Sequence, residues 1–159
     1  YSQPDGSKLA SLCPDCGQPL LVRYASPVPK SAITAEASLW RYGAALPLLP
    51  GERAVTLGEG MTPLVELPHL AAEIGVRRLW VKDEGINPTA SFKARGLMMA
   101  VTRAKALGRP GVCVPTAGNA GIALAAYAAA ARMPCRIYAP ETTPPPILGS
   151  MRAFGADLQ

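Results

Sequence analysis

From residue 76 onward, short apolar runs alternate with longer runs of helical periodicity, and this alternation restricts the possible folds most strongly. The alternation predicts right-handed crossovers and a parallel sheet covered by helices on both faces. The predicted fold class is therefore α/β, a three-layer αβα arrangement with a parallel sheet. The predicted strands are residues 78–83, 111–114, 135–139 and the start of a fourth at 156–159, and the predicted helices are 92–107, 119–133 and 144–154.

Composition narrows the class of protein. The 159 residues are 49% hydrophobic and 17% charged, which is enough for one domain with a core. The alanine-rich run 123–131 is too short to span a membrane, and the polar opening 1–6 does not resemble a signal peptide, so we expect a cytoplasmic protein with no membrane partner. The net charge of +5 is dispersed along the chain, which disfavours nucleic acid as a partner.

Cys13 and Cys16 form a Cys-x2-Cys-Gly knuckle that ends at Gly17 and precedes a predicted short strand. Such a turn directs two thiolates toward one metal ion, but zinc requires four ligands and the chain contains no second pair. Either the other ligands lay upstream, or these cysteines no longer bind metal; the knuckle form favours the metal interpretation. We therefore predict an incomplete zinc-ribbon-like segment over residues 1–26, before the main region 27–159.

The remaining cysteines and the single histidine suggest no further site. Cys113 and Cys135 lie inside apolar strand patterns and are predicted to be core residues in a reducing compartment. His69 is predicted to lie on the surface of a short helix over residues 68–74, because no partner residues cluster around it. A second short helix is predicted around residues 38–42, and a short strand over 62–67.

A lysine occupies the predicted first turn of the helix at 92–107. Pro88 ends the preceding strand, and the Ser91 hydroxyl is predicted to accept a hydrogen bond from an early backbone N–H of the helix. The positive end of the helix dipole disfavours an ammonium group at Lys93, so this position favours a neutral, nucleophilic amine. A surface lysine that merely follows a cap is the alternative.

A second loop, residues 115–121, follows the next predicted strand and leads into the next helix. In parallel sheets, ligands bind where strand ends lead into helix N-termini. Small residues let backbone N–H groups approach an anion, and Asn119 adds a directional amide donor. Together with Lys93, this loop suits Schiff-base chemistry on an aldehyde cofactor, although Gly118-x-x-Gly121 also fits an ordinary tight turn.

Three segments of the chain form a recognisable series. They are Gly58-Glu59-Gly60-Met61-Thr62-Pro63-Leu64, then residues 79–96 with Asn87-Pro88-Thr89-Ala90-Ser91-Phe92-Lys93, then Thr116-Ala117-Gly118-Asn119-Ala120-Gly121. In this order they resemble the threonine synthase family, which belongs to the fold type II pyridoxal-phosphate enzymes of the tryptophan synthase β-like group. The resemblance covers residues 55–159 and implies that residues 27–159 are the amino-terminal part of a catalytic region.

The resemblance also implies roles for individual residues. Lys93 would form the Schiff base with pyridoxal 5'-phosphate and later transfer protons, Phe92 would pack on the pyridine ring, and Asn119 would bond the ring hydroxyl. The cofactor's phosphate loop and the partner of its ring nitrogen are expected beyond Gln159, so the 159-residue chain is expected to be inactive alone. Substrate binding is implied for Ser91, which also supports the lysine loop, and for Thr116, Ala117, Gly118, Asn119 and Ala120.

The implied reaction is that of a lyase that forms L-threonine from O-phospho-L-homoserine and water, in a full-length homodimer. Many relatives carry glycine at Ala90, aspartate at Ala94, and a hydroxyl residue at Ala117 or Ala120. Threonine dehydratase, or another amino-acid lyase of the same fold, therefore stays open as an alternative. So do a zinc-knuckle nucleic-acid-binding module and a non-catalytic regulatory domain.

Overall fold

The computed structural model describes residues 11–159. Within this range no helix is long and apolar enough to cross a membrane. The strands are β1 (Leu64–Glu66), β2 (Trp80–Lys82), β3 (Val112–Pro115), β4 (Cys135–Tyr138) and β5 (Asp157–Leu158). The helices are α1 (Pro68–Glu73), α2 (Lys93–Ala106), α3 (Asn119–Ala131) and α4 (Pro145–Ala153), and a longer 3-10 segment covers Leu39–Ala45.

Strands β3, β4 and β5 form the predicted parallel sheet, in that order. Val112 pairs with Cys135 and Val114 with Ile137, so these side chains share one face, which packs against the core. The opposite face carries exposed side chains, among them Arg136 and Tyr138. The α/β class with a parallel sheet is confirmed, whereas the described residues cover one face of the sheet with helices and leave the other exposed.

The prediction that residues 78–83 begin the parallel sheet is wrong. Strand β2 pairs antiparallel with β1 in a separate two-stranded ribbon, with Val65 opposite Val81. All six residues of the two strands are exposed. Parallel strands are buried on both faces and read as continuous apolar runs, whereas these short strands carry Glu66 and Lys82.

Helix α3 forms the centre of the core. Every residue from Gly121 to Ala128 is buried, as its apolar composition predicted. α3 packs against α2, α4, β3 and β4. The prediction for Cys135 is confirmed because it is buried, but Cys113 is exposed because it lies on the opposite face of β3.

The segment before β1 is tied to this core. The Ser38 hydroxyl accepts a hydrogen bond from the backbone N–H of Trp40 at 3.1 Å, which starts the predicted short helix in 3-10 form. The Trp40 side chain is buried in the main hydrophobic cluster. His69 is exposed on α1, as predicted, whereas the strand predicted after the knuckle does not form.

Candidate active site

A strained turn presents Lys93. Thr89 and Ala90 both adopt left-handed backbone conformations, with φ of 64° and 53°. The N–H of Ala90 donates to the Asn87 carbonyl at 2.8 Å, which closes the turn. The buried Ser91 hydroxyl then accepts a hydrogen bond from the Lys93 backbone N–H at 3.0 Å, as its predicted capping role requires.

The Lys93 side chain lies beside an aromatic ring. Its Nζ is 4.5 Å from the centroid of the Phe92 ring, and the lysine is half-buried. Phe92 itself is 57% exposed, although an aromatic side chain usually buries most of its surface. The amine and the ring together form an accessible pair at the start of α2.

The second predicted loop folds on itself before α3. The Thr116 N–H donates to the Tyr138 carbonyl at 2.9 Å, and the Thr116 hydroxyl accepts from the Gly118 N–H at 3.2 Å. The N-cap residue of α3, Gly118, provides no side-chain cap, and Asn119 is exposed. The start of α3 therefore presents its positive dipole end and an amide side chain to solvent.

The two glycines of this loop have different roles. A Cβ at Gly121 would approach Met151 Cε to 2.4 Å and Thr116 Cγ2 to 2.8 Å, so glycine there lets α3 and α4 pack closely. A Cβ at Gly118 would meet no atom within 4 Å. Packing therefore requires glycine at position 121, whereas no contact among the described residues requires it at position 118.

The carboxyl ends of β3 and β4 line an open cleft of about 490 Å³. Thr116 and Ala117, two of the residues predicted to bind substrate, form part of its wall. Lys93 and Phe92 do not line this cleft. The turn Pro88–Ala90, which precedes them, contacts α3, and α3 begins directly after the cleft wall. The remaining wall residues are Pro115, Tyr138, Ala139, Pro140 and Gln159.

Sequence reasoning missed a buried polar network behind the lysine turn. Both oxygens of Glu84 receive hydrogen bonds from Arg95, at 2.7 and 2.8 Å, and Glu84 also accepts from Thr62 and Asn87. The Arg95 guanidinium, then Thr62 and Asn87, hold the pKa of Glu84 down at about 2 despite partial burial. Asn87 Oδ1 accepts from the Gly60 N–H at 3.1 Å, so the network joins the 58–62 loop to the lysine turn.

A second missed group is Glu59, which is fully buried. Its carboxylate accepts hydrogen bonds from Trp40 Nε1 at 2.8 Å, the Thr56 hydroxyl at 3.0 Å and the Tyr127 hydroxyl at 2.6 Å, besides the backbone N–H of Leu57. The only signal in the sequence was a charged residue between two glycines, a pattern that is equally typical of an exposed turn.

The cysteine knuckle forms the predicted tight turn. The Gly17 N–H donates to the Cys13 carbonyl at 2.9 Å, and Gly17 has a φ of 69°. Hydrogen bonds from the backbone of Cys16 and Asp15 lower the pKa of the Cys13 thiol. Residues 11–159 contain no group of three or more side chains able to hold a metal ion, so zinc binding by Cys13 and Cys16 stays a prediction.

The fold and these two loops define an α/β protein that has a lysine in the first turn of one helix and an uncapped, glycine-containing loop before the next, beside a parallel sheet. Residues 55–159 match the family described as pyridoxal-phosphate dependent enzyme. The chain belongs to this family, and the predicted relationship to fold type II pyridoxal-phosphate enzymes is confirmed.

Individual relatives agree with this assignment. The chain is 43% identical to the threonine synthase of Methanocaldococcus jannaschii over 106 residues, which are 67% of this chain and 26% of that protein. It is 36% identical to the threonine synthase of Synechocystis sp. over 141 residues, 88% of this chain and 34% of the relative. The chain thus spans about a quarter to a third of these relatives.

Solved structures give the same fold. A pyridoxal 5'-phosphate-dependent aspartate racemase matches with a TM-score of 0.59 and 31% identity, over 62% of this chain and 31% of the racemase. An O-ureido-L-serine synthase matches with a TM-score of 0.56 and 36% identity, over 63% of this chain and 32% of the synthase. Similar folds therefore serve proteins with differently named activities.

Proposed function

We propose that this protein acts as a pyridoxal-phosphate-dependent lyase of the threonine synthase type, which forms L-threonine from O-phospho-L-homoserine and water. The observation that carries the proposal is the accessible Lys93 amine, held over the Phe92 ring in the first turn of α2 by a strained turn. Membership of the family and the threonine synthase relatives support it. Because the chain matches only part of those relatives, the activity is proposed for the whole protein.

The residues present fit the proposed cofactor. The cofactor's aldehyde requires an amine, and its aromatic ring favours a flat apolar neighbour. Lys93 and Phe92 supply these two features. Lys93 and Phe92 would hold the cofactor at its aldehyde and ring, and Asn119 would donate to its ring hydroxyl.

The bound cofactor would supply an electron sink for cleavage of bonds at the substrate carbons. Lys93 Nζ, in the first turn of α2, would take and return protons at these carbons. The Ser91 hydroxyl, which accepts a hydrogen bond from the Lys93 backbone N–H, would keep the lysine turn in place.

The loop before α3 would bind the carboxylate of the amino-acid substrate. Thr116 lies in the cleft wall, and its hydroxyl already orders the turn by accepting from the Gly118 N–H. Among the backbone N–H groups of residues 117–120, those of Ala117, Asn119 and Ala120 would donate to the carboxylate oxygens, while that of Gly118 keeps the turn closed on Thr116. This arrangement orients the substrate at the carboxyl ends of the strands.

Titration of the purified protein with pyridoxal 5'-phosphate tests the cofactor site. We expect a shifted visible absorbance band, and reductive trapping should leave the cofactor on the Lys93 peptide, identified by mass spectrometry. Lys93→Ala should abolish both signals. Lys105→Ala, which removes an exposed lysine from the same helix, should leave them unchanged. A band that persists in Lys93→Ala would contradict the assignment.

A second activity, threonine dehydratase or another amino-acid lyase, is favoured by one observation. Ala117 and Ala120 lack the hydroxyl groups that the resemblance to the threonine synthase family implies for this loop, which weakens recognition of a phosphorylated substrate. Phosphate release from O-phospho-L-homoserine with L-threonine formation would support the first proposal. Ammonia release from L-threonine without phosphate release would support the second. A homodimer and a cytoplasmic location stay predictions.

A further inference from the structure

A second cavity, of about 300 Å³, lies between the 3-10 segment Leu39–Ala45 and the 60–62 loop. Three cationic side chains line it, those of Arg41, Lys82 and Arg95. None of the described residues that line this cavity has a carboxylate side chain. The wall also contains Tyr42, Met61 and Thr62.

The Arg41 side chain is half-buried, and its buried Nε lacks an acceptor among the described residues. Its Nη1 donates to Met61 Sδ at 3.2 Å, a weak acceptor. The Tyr42 ring, 5.7 Å from the guanidinium carbon, supplies only a ring contact. A buried donor atom of a charged group is costly without an acceptor, so the Arg41 Nε favours a ligand that brings an acceptor into this cavity.

The charge in the cavity is also unbalanced. Glu84 neutralises Arg95 through two hydrogen bonds. The Lys82 ammonium donates to the uncharged carbonyl of Thr62. The charges of Arg41 and Lys82 therefore have no counter-charge in the cavity wall. Together these two positive charges would balance one dianionic group.

We propose that this cavity binds a phosphate group, either as inorganic phosphate or as a phosphate monoester. A phosphate carries close to two negative charges at neutral pH, and its oxygens suit the planar fork of an arginine. The site is separate from the proposed cofactor site, because Lys93 and Arg95 are two positions apart on α2 and side chains at that spacing point to different sides of a helix.

Isothermal titration of the purified protein with inorganic phosphate, in the absence of pyridoxal phosphate, tests the proposal. We expect binding in about the millimolar range or tighter, and a loss of about tenfold or more in Arg41→Gln and in Lys82→Gln. Arg77→Gln, which removes an exposed arginine outside the cavity, should bind as the wild type does. Circular dichroism checks that each variant is folded; Lys82 is exposed, so its variant serves if Arg41→Gln does not fold.

Titration with glycerol 3-phosphate distinguishes the two sources of the group. Tighter binding of the ester identifies a phosphate monoester as the ligand, whereas equal or weaker binding identifies free phosphate. Three results would overturn the proposal: no binding of either probe, binding that is unchanged in both Arg41→Gln and Lys82→Gln, or an equal loss in Arg77→Gln. The last result would indicate attraction to the overall positive charge alone.

Discussion

Ala90 holds a left-handed backbone conformation that glycine adopts at far less cost. Its φ is 53°, and it follows another left-handed residue, Thr89. A left-handed residue with a Cβ loses roughly 1 kcal/mol. We expect Ala90→Gly to raise the free energy of unfolding by about 0.5–1 kcal/mol, measured by urea denaturation.

Ala100→Gly provides the matched control. Ala100 is exposed in the middle of α2, where glycine should lower the free energy of unfolding by roughly 0.5–1 kcal/mol. The two substitutions are chemically identical and should have opposite signs. If Ala90→Gly destabilises the protein as much as Ala100→Gly does, the left-handed turn is not strained.

Gly118 and Gly121 allow packing to be separated from ligand binding. Gly121→Ala forces a Cβ against Met151 and Thr116 and should destabilise the protein by about 1–3 kcal/mol. Gly118→Ala meets open space and needs no special backbone conformation, so unfolding should be nearly unchanged. If this loop binds an anion, Gly118→Ala should still weaken the binding of the substrate carboxylate, measured by titration. Unchanged binding together with unchanged stability would remove Gly118 from the site.

The ion pair between Glu84 and Arg95 connects the 3-10 turn Glu84–Ile86, which follows β2, to the first turn of α2. Its side chains are 26% and 29% exposed, and its geometry lowers the pKa of Glu84 from 4.5 to about 2. A carboxylate with a lowered pKa stabilises the fold fully above its unfolded value. That contribution is lost as the pH falls from about 4.5 toward 2.

Glu84→Gln should therefore lower the free energy of unfolding by roughly 1.5–3 kcal/mol at pH 7. In this variant the free energy of unfolding should also decrease less than in the wild type as the pH falls from about 4.5 to 2. Glu66→Gln is the control, because the Glu66–Arg78 pair is 47% and 55% exposed and should contribute at most about 1 kcal/mol. Chemical denaturation at a series of pH values measures both. Equal losses in the two variants would contradict a special role for the partly buried pair.

The sequence predicted correctly those helices whose hydrophobic periodicity and terminal residues indicate the same boundaries. Helices α2 and α3 were predicted to within about two residues, since periodicity, a serine before α2 and Gly108 after it point to the same boundaries. The pairing of β1 and β2 was not predicted, because a three-residue strand has the same local pattern in a ribbon as in a sheet.

The residues of the candidate site also fall into two groups, those that a local sequence pattern predicts and those that only the tertiary structure shows. Ser91 and Lys93 were recognisable because proline, serine and lysine follow a strand in a fixed order, and the local backbone decides their geometry. The partners of Glu59 come from segments far apart in the chain: Trp40 is 19 residues away and Tyr127 is 68. No local pattern specifies such contacts, so only the tertiary structure shows them.

Glu59 connects the segment before β1 to the central helix of the molecule. Trp40 and Thr56 donate from one side and Tyr127 from α3, while the Glu59 carbonyl accepts from the Leu39 N–H at 2.7 Å. A fully buried carboxylate is tolerated only while its donors remain. This one side chain therefore couples the folding of residues 38–60 to that of α3.

Tyr127→Phe tests this coupling because it removes a single hydroxyl and keeps the buried ring. It leaves Glu59 with one donor fewer and should lower the free energy of unfolding by about 1–3 kcal/mol. Tyr24→Phe, whose exposed hydroxyl donates to the Ala45 carbonyl, should cost less than about 1 kcal/mol.

The pH dependence of the same pair gives a second, independent readout. Burial, and then the Glu59 carboxylate, raise the pKa of Tyr127 above its ordinary value of 10.0. A group whose pKa is raised on folding stabilises the fold below its unfolded pKa and loses that contribution as the pH rises above it. Wild-type stability should therefore fall between pH 9 and about 11 more steeply than that of Tyr127→Phe. If the stability of both proteins falls in parallel over this pH range, the Tyr127 hydroxyl is not held in the buried hydrogen bond that connects α3 to residues 38–60.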